Sequence, residues 1–300
     1  MRIALATCSA LPSHEHDDDP LHATLRERGV IVEQPVWDDA RVEWAGFDAV
    51  LIRTAWDYHA KHSAFLAWAE RVAAQTKLYN PAPVIPWNTN KLYLRELEAL
   101  GVPLADTQWF EAGRAYDFVG AVQARGLARG FIKPVVGANA SGTLRFDARR
   151  SDQLDAAAEH FARWVERVDM MVQPYLASVE REGELSAIYF DGVLSHGVRK
   201  IPVAGDYRVQ DDFGAHDQPE QLSDEALALG ERTLAALATV ATRRGWGEAL
   251  PLLYARVDML RDDGGALVLN ELELVEPSLF FRHGPRAAER LATALLERLG

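Results

Sequence analysis

The chain has a single cysteine, Cys8, in 300 residues. No intramolecular disulfide can form, and one thiol suits a reducing cytoplasm, which is the expected location. Cys8 closes the apolar run that begins at Arg2, so it reads as a buried core thiol rather than a nucleophile. No stretch approaches the roughly 20 apolar residues that a membrane helix needs. The N-terminus lacks the layout of a signal peptide: only Arg2 precedes a short apolar stretch, and the acidic run Glu15–Asp19 follows closely. Basic residues are scarce, 32 Lys+Arg against 44 Asp+Glu, for a net charge of −12. That balance argues against nucleic acid as a partner, because such affinity comes largely from neutralising phosphates. A small anionic ligand held by a few local cations stays open.

Two nucleotide-binding signatures are also missing. Gly137 and Gly142 have P-loop spacing, but Thr143 and Leu144 stand where Lys and Ser/Thr are required. Gly245-Trp-Gly247 lacks the third glycine of a dinucleotide fingerprint and follows a helix rather than a strand. Internal repeats and low-complexity tracts are absent.

What remains is the composition of an ordinary globular protein, 48% hydrophobic and 25% charged,. Length alone suggests about two domains. Strands at Ile3–Thr7, Val30–Val36 and Asp48–Arg53 alternate with helices at Pro20–Arg28 and Ser63–Ala74. This order implies a parallel sheet covered by helices. Tyr79–Asn90 carries Pro81, Pro83 and Pro86 and reads as an extended boundary. A helix is expected from Asn88–Asn90 to Gly101–Pro103. The middle section offers strands at Phe131–Val136, Gly142–Phe146 and Met170–Tyr175 with a helix at Leu154–Val168, a small α+β unit. Beyond it come a hairpin, Glu184–Phe190 and Val193–Lys200 around Asp191–Gly192, and a long helix from Ser223 to Arg244. Strands Leu253–Leu260 and Ala266–Leu274 and a closing helix Pro285–Leu299 complete the chain.

The chemistry concentrates in the last two strands. Side chains alternate faces along a strand, so Arg256 and Asp258 share a face, as do Glu271 and Glu273. A two-residue turn at Gly264–Gly265 would set Asp258 opposite Glu271 and Arg256 opposite Glu273. Opposed carboxylates repel unless a cation offsets them. Mg²⁺ suits this arrangement, taking one or two carboxylates while phosphates and waters fill its shell. The alternative is an edge hairpin with solvated charges. The apolar flanks Leu252, Leu253, Val257, Met259, Leu267, Leu269 and Leu272 favour a core position.

Other cations fit an anionic ligand. Lys133 sits in a strand ahead of the loop Gly137–Gly142, whose backbone N–H groups can wrap phosphates; a plain hairpin connection is an equal reading. Lys91 opens a helix, where the dipole disfavours a cation, although a surface lysine is the bland alternative. Lys200 and Arg208 punctuate a strand and the loop after it, and could clamp a transferring phosphoryl group. Arg53 ends a strand at the edge where α/β sheets bind ligands, which makes it a candidate for a substrate carboxylate. Trp56, Asp57 and Ser278 are further candidates there. His14-Glu-His16-Asp-Asp-Asp19 offers a rival metal-dependent hydrolase site, set against a solvated loop capping the first helix.

Taken together, the pattern resembles the ATP-grasp superfamily over most of the chain. The resemblance implies an α/β (α+β) fold in three parts: an N-terminal Rossmann-like pre-grasp domain over residues 1–86, a small α+β lid within 87–178, and a grasp domain over 179–300. Lys91 and Lys133 look like the family's nucleotide-binding lysines, followed by lid-loop residues Ser141 and Gly142. Met171-Val-Gln173-Pro-Tyr175-Leu176 is similar to the hinge strand that meets adenine, and Glu184 falls where the ribose-binding acid is expected. Arg256-Val-Asp258 and Asn270-Glu271-Leu-Glu273 resemble the Arg-x-Asp and Glu-x-Asn metal signatures. Glu273 replaces the usual Asn, which leaves its ligand role open. Ile201-Pro202, Asp206 and Arg208 resemble the prokaryotic glutathione synthetase branch. Arg53-Thr-Ala-Trp-Asp-Tyr58, Ser195-His-Gly and Leu274-Val-Glu-Pro-Ser-Leu-Phe280 look like cycloserine synthetase, which closes O-ureidoserine into a ring with ATP.

The resemblance implies ATP and one or two Mg²⁺ as cofactors, with Mn²⁺ an admissible substitute. Asp258, Glu271 and Glu273 would hold the metal, and Arg256, Arg208 and Lys200 would stabilise transferring charge. A small carboxylate substrate and an amine nucleophile are the implied partners, and a homo-oligomer stays open. Rival readings are an intermolecular amino-acid, dipeptide or glutathione-synthetase-like ligase, and a nucleotide-binding regulatory module without catalysis.

Overall fold

The computed structural model describes residues 1–9, 11, 16–137, 142–203, 206, 208–209 and 214–300, the side chain of residue 16 excepted. His14 and Ser141 therefore lie outside the described residues. Strands β1 (Arg2–Thr7), β2 (Ile31–Glu33), β3 (Ala49–Thr54) and β4 (Lys77–Tyr79) form a parallel sheet in the order β2-β1-β3-β4. Helices α1 (Asp19–Glu27) and α2 (His62–Ala73) make the crossovers. With helices on both faces, β3 is buried throughout and reads as a continuous apolar run,. Cys8 is buried, as a core thiol should be. The second strand is shorter than its apolar run, stopping before Pro35, which has no N–H for the ladder,.

The proline-rich stretch is less extended than expected. Helix α3 (Val84–Asn88) starts inside it, with Pro83 at the N-cap and Pro86 in the first turn, where a missing N–H costs nothing,. Helix α4 (Tyr93–Glu98) is separate, so Lys91 lies between two short helices rather than at the head of one. Buried asparagines stitch this segment to the C-terminal strands. Asn80 Nδ2 donates to the carbonyls of Tyr254 (2.8 Å) and Leu274 (2.7 Å), and its Oδ1 accepts the Leu253 N–H (3.0 Å). Asn88 Nδ2 donates to Leu272 O (2.7 Å), and its Oδ1 accepts the Leu274 N–H (2.8 Å). Val84, Trp87, Leu94 and Val102 accordingly pack in one core with Val257, Met259 and Leu272.

A second, antiparallel sheet has the order β5-β8-β6-β7, from β5 (Gln108–Phe110), β6 (Arg129–Pro134), β7 (Leu144–Asp147) and β8 (Met170–Pro174). Helices α5 (Phe118–Ala124) and α6 (Ser151–Val165) supply Phe118, Leu154 and Phe161 to its core. Strand β5 and helix α5 are too short to give a periodic signal in the sequence.

The third sheet is antiparallel in the order β11-β10-β9-β12-β13. Its strands are β9 (Glu184–Phe190), β10 (Val193–Ile201), β11 (His216–Glu220), β12 (Tyr254–Arg261) and β13 (Leu267–Glu273), with the short helix α7 (Ser178–Glu182) leading in. Asp191 and Gly192 both have positive φ, the requirement of the tight β9–β10 turn,. Helix α8 (Asp224–Arg244) is capped by Ser223, whose Oγ accepts the Ala226 N–H at 3.3 Å, and ends at left-handed Gly245,. Helix α9 (Ala287–Leu299) packs beside α1 and joins the first and third sheets. Among the described residues no helix is long and apolar enough to cross a membrane.

The β12–β13 pairing has the expected partners by a different route. Asp258 does face Glu271, and Arg256 faces Glu273. The turn, however, is longer than Gly264–Gly265: Asp262 N donates to Ala266 O at 2.8 Å, and Gly265 N to Asp262 O at 3.0 Å. The register then shifts, with Met259 opposite Leu269, so Asn270 is an extra bulged residue,. The longer turn and the bulge each move the register by one, and the two shifts cancel at the acidic end.

Asn80 leaves buried backbone groups unpaired when it is truncated, a penalty of 1–3 kcal/mol for each such group. Asn80→Ala is expected to lower unfolding free energy by about 3 kcal/mol in urea titration; an unchanged midpoint would show that the stitch carries no load.

Candidate active site

The two faces of the third sheet differ in chemistry. Leu185, Ala187, Tyr189, Val257, Met259 and Leu272 point toward α8 and form an apolar core. The alternate positions on the other face are polar: Glu184 and Ser186 on β9, Lys200 on β10, Arg256 and Asp258 on β12, and Glu271 and Glu273 on β13. The register sets Lys200 opposite Glu184, and Asp258 between Ser186 and Glu271.

These side chains form one network. Arg256 donates to Asp258 through Nε (3.0 Å) and Nη2 (2.9 Å), and its Nη2 also reaches Glu273. Lys200 Nζ lies 2.5 Å from Glu184 Oε2 and 3.2 Å from Asp258 Oδ2. Ser186 Oγ donates to Asp258 at 2.5 Å. Asn270, aimed inward by the bulge, donates to Glu184. Burial works against the charge on Asp258, yet Arg256 and Lys200 overcome it and hold the carboxyl at about 2,. Lys200 is raised because Asp258 and Glu184 outweigh its desolvation. Glu273 goes the other way: burial, with Asp258 and Glu271 nearby, pushes it up to about 7 despite Arg256.

Two lysines reach this face from the side of the second sheet. Lys91 Nζ donates to Gly137 O at 2.9 Å and lies 3.6 Å from Glu271 Oε1, while its N–H donates to Val135 O at 2.8 Å. Lys133, on β6, has its pKa lowered by burial and by Lys91, against the attraction of Glu271 and Glu184. It is a cation whose surroundings supply too little negative charge.

For a metal, the donor set is hard oxygen, which suits Mg²⁺. Among the described residues, however, no three acidic, histidine or cysteine side chains converge as a ready-made cage. Asp258 is buried and engaged by Arg256, Lys200 and Ser186, whereas Glu271 and Glu273 keep 25% and 29% of their side chains exposed. The two glutamates therefore fit a cation that shares its shell with phosphate and water, and Asp258 anchors the cations beneath them.

The other sequence candidates have partners of their own. Arg208 pairs with Asp206 of its own loop (Nη2–Oδ2, 2.6 Å). Gln173 donates to Thr107 Oγ1 at 3.0 Å, Tyr175 bonds Glu180 and stacks under Arg129 and Arg145, and Leu176 is buried. Gly142 has φ +68° and lies against Trp164, which leaves no room for a Cβ. Arg53 is fully engaged, with Nε and Nη2 on Asp18 (3.0 and 2.8 Å) and Nη1 on Pro277 O (3.1 Å). A substrate carboxylate would have to displace Asp18 to reach it. Asp57 accepts Trp37 Nε1 at 2.7 Å and Lys61 Nζ at 3.0 Å, Trp56 Nε1 donates to Glu276 O at 3.0 Å, and Ser278 O accepts Arg256 Nη1 at 3.0 Å.

Sequence reasoning missed Ser186, Asn270, Tyr58 and Glu276. Ser186 was legible as the same-face neighbour of Glu184 on β9. Asn270 was not, because strand alternation points it away and only the bulge returns it. Burial, with the nearby charge of Glu273 added to it, pushes the Glu276 carboxyl from 4.5 to about 8, although Lys91 and Tyr58 act to lower it.

An acid whose folded pKa exceeds its unfolded value binds more protons when folded, so stability falls as pH rises between the two. Glu276 therefore costs stability progressively from about pH 4.5 to about pH 8. The urea midpoint of the ligand-free protein should drop less between pH 5 and 8.5 in Glu276→Gln than in wild type. Equal drops would remove Glu276 as a source of the pH dependence.

The family description "D-cycloserine synthetase DcsG, N-terminal domain" matches residues 3–80. The cycloserine biosynthesis protein DcsG of Streptomyces lavendulae is 34% identical over 308 residues, covering 99% of this chain and 98% of that protein. The crystal structure of D-cycloserine synthetase DcsG superposes with a TM-score of 0.87 at 31% identity, over 100% of both chains. D-alanyl-alanine synthetase A from Vibrio cholerae, 15% identical, shares the fold with a TM-score of 0.71 over 100% of this chain and 98% of that one. The chain belongs to the DcsG family and is an ATP-dependent ligase with the ATP-grasp fold.

Proposed function

We propose that the enzyme uses ATP and Mg²⁺ to activate a small amino-acid-like carboxylate as an acyl phosphate, then joins it to nitrogen, closing O-ureidoserine into cycloserine. The observation that carries this reading is the polar sheet face, where Lys200, Arg256, Glu184 and Asp258 are held together at low exposure with Glu273 at their edge. Burying charges costs several kcal/mol per ion even when paired. Such a face gives weak stability, and it suits chemistry that moves charge. DcsG of Streptomyces lavendulae, 34% identical, is a cycloserine biosynthesis protein, which supports the ring-closing form.

Each residue has a part in this scheme. Lys91 and Lys133 neutralise phosphate charge from the lid side, and Lys133 gains the counter-charge that its surroundings withhold. Gln173, Tyr175 and Leu176 line the adenine end, and Glu184 orients the ribose. Glu271 and Glu273 would hold Mg²⁺, which when bound neutralises charge between the β- and γ-phosphates. A substrate carboxylate oxygen attacks the γ-phosphorus and ADP leaves. Arg256, Lys200 and Arg208 stabilise charge on the transferring group. The oxygen-bound nitrogen of the ureido group then attacks the acyl carbon and phosphate departs. Water cleaves that nitrogen from its carbamoyl carbon, releasing carbamic acid (carbon dioxide and ammonia) and leaving cycloserine. The lid, residues 87–178, shields the mixed anhydride from water.

Phosphate release from ATP and Mg²⁺ with O-ureidoserine, single amino acids and amino-acid pairs tests the reading. O-ureidoserine alone should support turnover; activity with an amino-acid pair instead would replace ring closure by intermolecular ligation. Silence across the panel with tight ATP binding would indicate a regulatory module. Asp258→Ala should abolish turnover, but it strands Arg256 and Lys200 in the interior. Glu271→Gln, at a partly exposed position, is the cleaner variant, with an expected loss of about 100-fold in kcat,. Full activity in that variant would sink the site assignment.

A further inference from the structure

Residues Val275 to Ser278, between β13 and α9, are fixed to an unusual degree. Each consecutive backbone carbonyl is taken by a side chain: Val275 O by the Tyr254 hydroxyl (2.9 Å), Glu276 O by Trp56 Nε1 (3.0 Å), Pro277 O by Arg53 Nη1 (3.1 Å) and Ser278 O by Arg256 Nη1 (3.0 Å). The backbone under Glu276 is thereby fixed, and its half-buried carboxyl is presented beside Tyr58, whose hydroxyl is its hydrogen-bonding neighbour. Tyr58 also senses Glu273 and Glu271, so this corner adjoins the polar sheet face.

The surrounding cations are already committed. Arg256 serves Asp258 and Glu273, Lys200 serves Glu184 and Asp258, Lys91 serves Glu271 and the Gly137 carbonyl, and Arg53 serves Asp18. Among the described residues, none ion-pairs with Glu276. A carboxylate held rigidly at the rim of the site with no protein cation bonded to it, Lys91 acting on it only from a distance, is complementary to a cation that arrives with a ligand. A hard metal wants several oxygens and water around it. Glu276 instead has only the Tyr58 hydroxyl as a side-chain hydrogen-bonding neighbour, with Trp56 Nε1 on its own backbone carbonyl, a setting that one ammonium group can complete,.

We propose that Glu276, positioned by Trp56 and Tyr58, receives the ammonium group of the substrate. The inference rests on the ligase reading above and adds to it the residue that selects an acid bearing an α-amino group. An α-amino acid carries its ammonium one carbon from its carboxyl. Anchoring the first at Glu276 turns the second toward the Arg256–Glu273 side, where phosphoryl transfer is placed. The raised pKa of Glu276 is what an acid awaiting a cation should have,.

The test compares O-ureidoserine with its des-amino analogue, 3-(ureidooxy)propanoic acid, by calorimetry with Mg²⁺ and a non-hydrolysable ATP analogue, and by kinetics. Wild type should prefer the amino compound by at least about 30-fold in Kd, the usual cost of breaking a buried charge pair. Glu276→Gln should erase that preference while binding the des-amino compound as wild type does. It should raise KM far more than it lowers kcat, and Glu276→Asp should restore part of the preference. Three results overturn the proposal: equal weakening of both compounds, a fall in kcat at unchanged KM (a base), or a raised Mg²⁺ requirement (a metal ligand). Wild type binding neither compound overturns it as well. If wild type prefers the amino compound but releases no phosphate with it, the ammonium site stands and the ring-closing reading falls. If the des-amino acid turns over as readily, the ligase stands and the ammonium site falls.

Discussion

Asp258 is the group on which the site depends. Its carboxyl is buried on an inner strand of a five-stranded sheet and receives Arg256 from its own strand, Lys200 from two strands away and Ser186 from the strand between. An isolated charge there would be untenable, and so would either cation without it. The contacts fix the relative positions of β9, β10 and β12. They also spread outward, Lys200 to Glu184 and Arg256 to Glu273, until they reach glutamates that solvent and ligand can approach. Charge is thus locked at the base of the site and available at its rim.

The same arginine joins the parts of the molecule. Arg256 Nη1 holds the carbonyl of Ser278, on the stretch whose neighbouring carbonyls are held by Arg53 and Trp56 from the N-terminal sheet. Asn80 and Asn88 tie the connecting segment to the strands carrying the acids. Lys91 follows directly after that segment, so its reach to Glu271 is set by buried amide hydrogen bonds rather than by a flexible linker. Such fixed scaffolding is what a reaction that develops charge requires, because prepaid orientation need not be supplied during the reaction.

Much of this was legible in the sequence, for particular reasons. The acidic hairpin announced itself because period-two alternation places Arg256, Asp258, Glu271 and Glu273 on one face, and the register that pairs them held at their end of the hairpin. The predicted turn was nonetheless too short, and the bulge at Asn270 was invisible; composition does not reveal an inserted residue whose effect cancels at the positions of interest. Lys91 and Lys133 were singled out by local context. Arg53 was placed correctly at the end of β3, but its partner Asp18 stands at the N-cap of α1, 35 residues away in the sequence, and no local pattern announces that pairing.

The sequence by itself determined the order of elements, the face on which the acids lie and the family to which the chain belongs, because these follow from local periodicity and from motifs of contiguous residues. Only the tertiary structure decided which charges are already satisfied. Whether Arg53 is spoken for, whether Asp258 is open to a metal, and whether Glu276 lacks a cation all depend on side chains brought together from distant segments. Coulomb energy and desolvation are set by distance and burial in space, and a linear sequence carries neither.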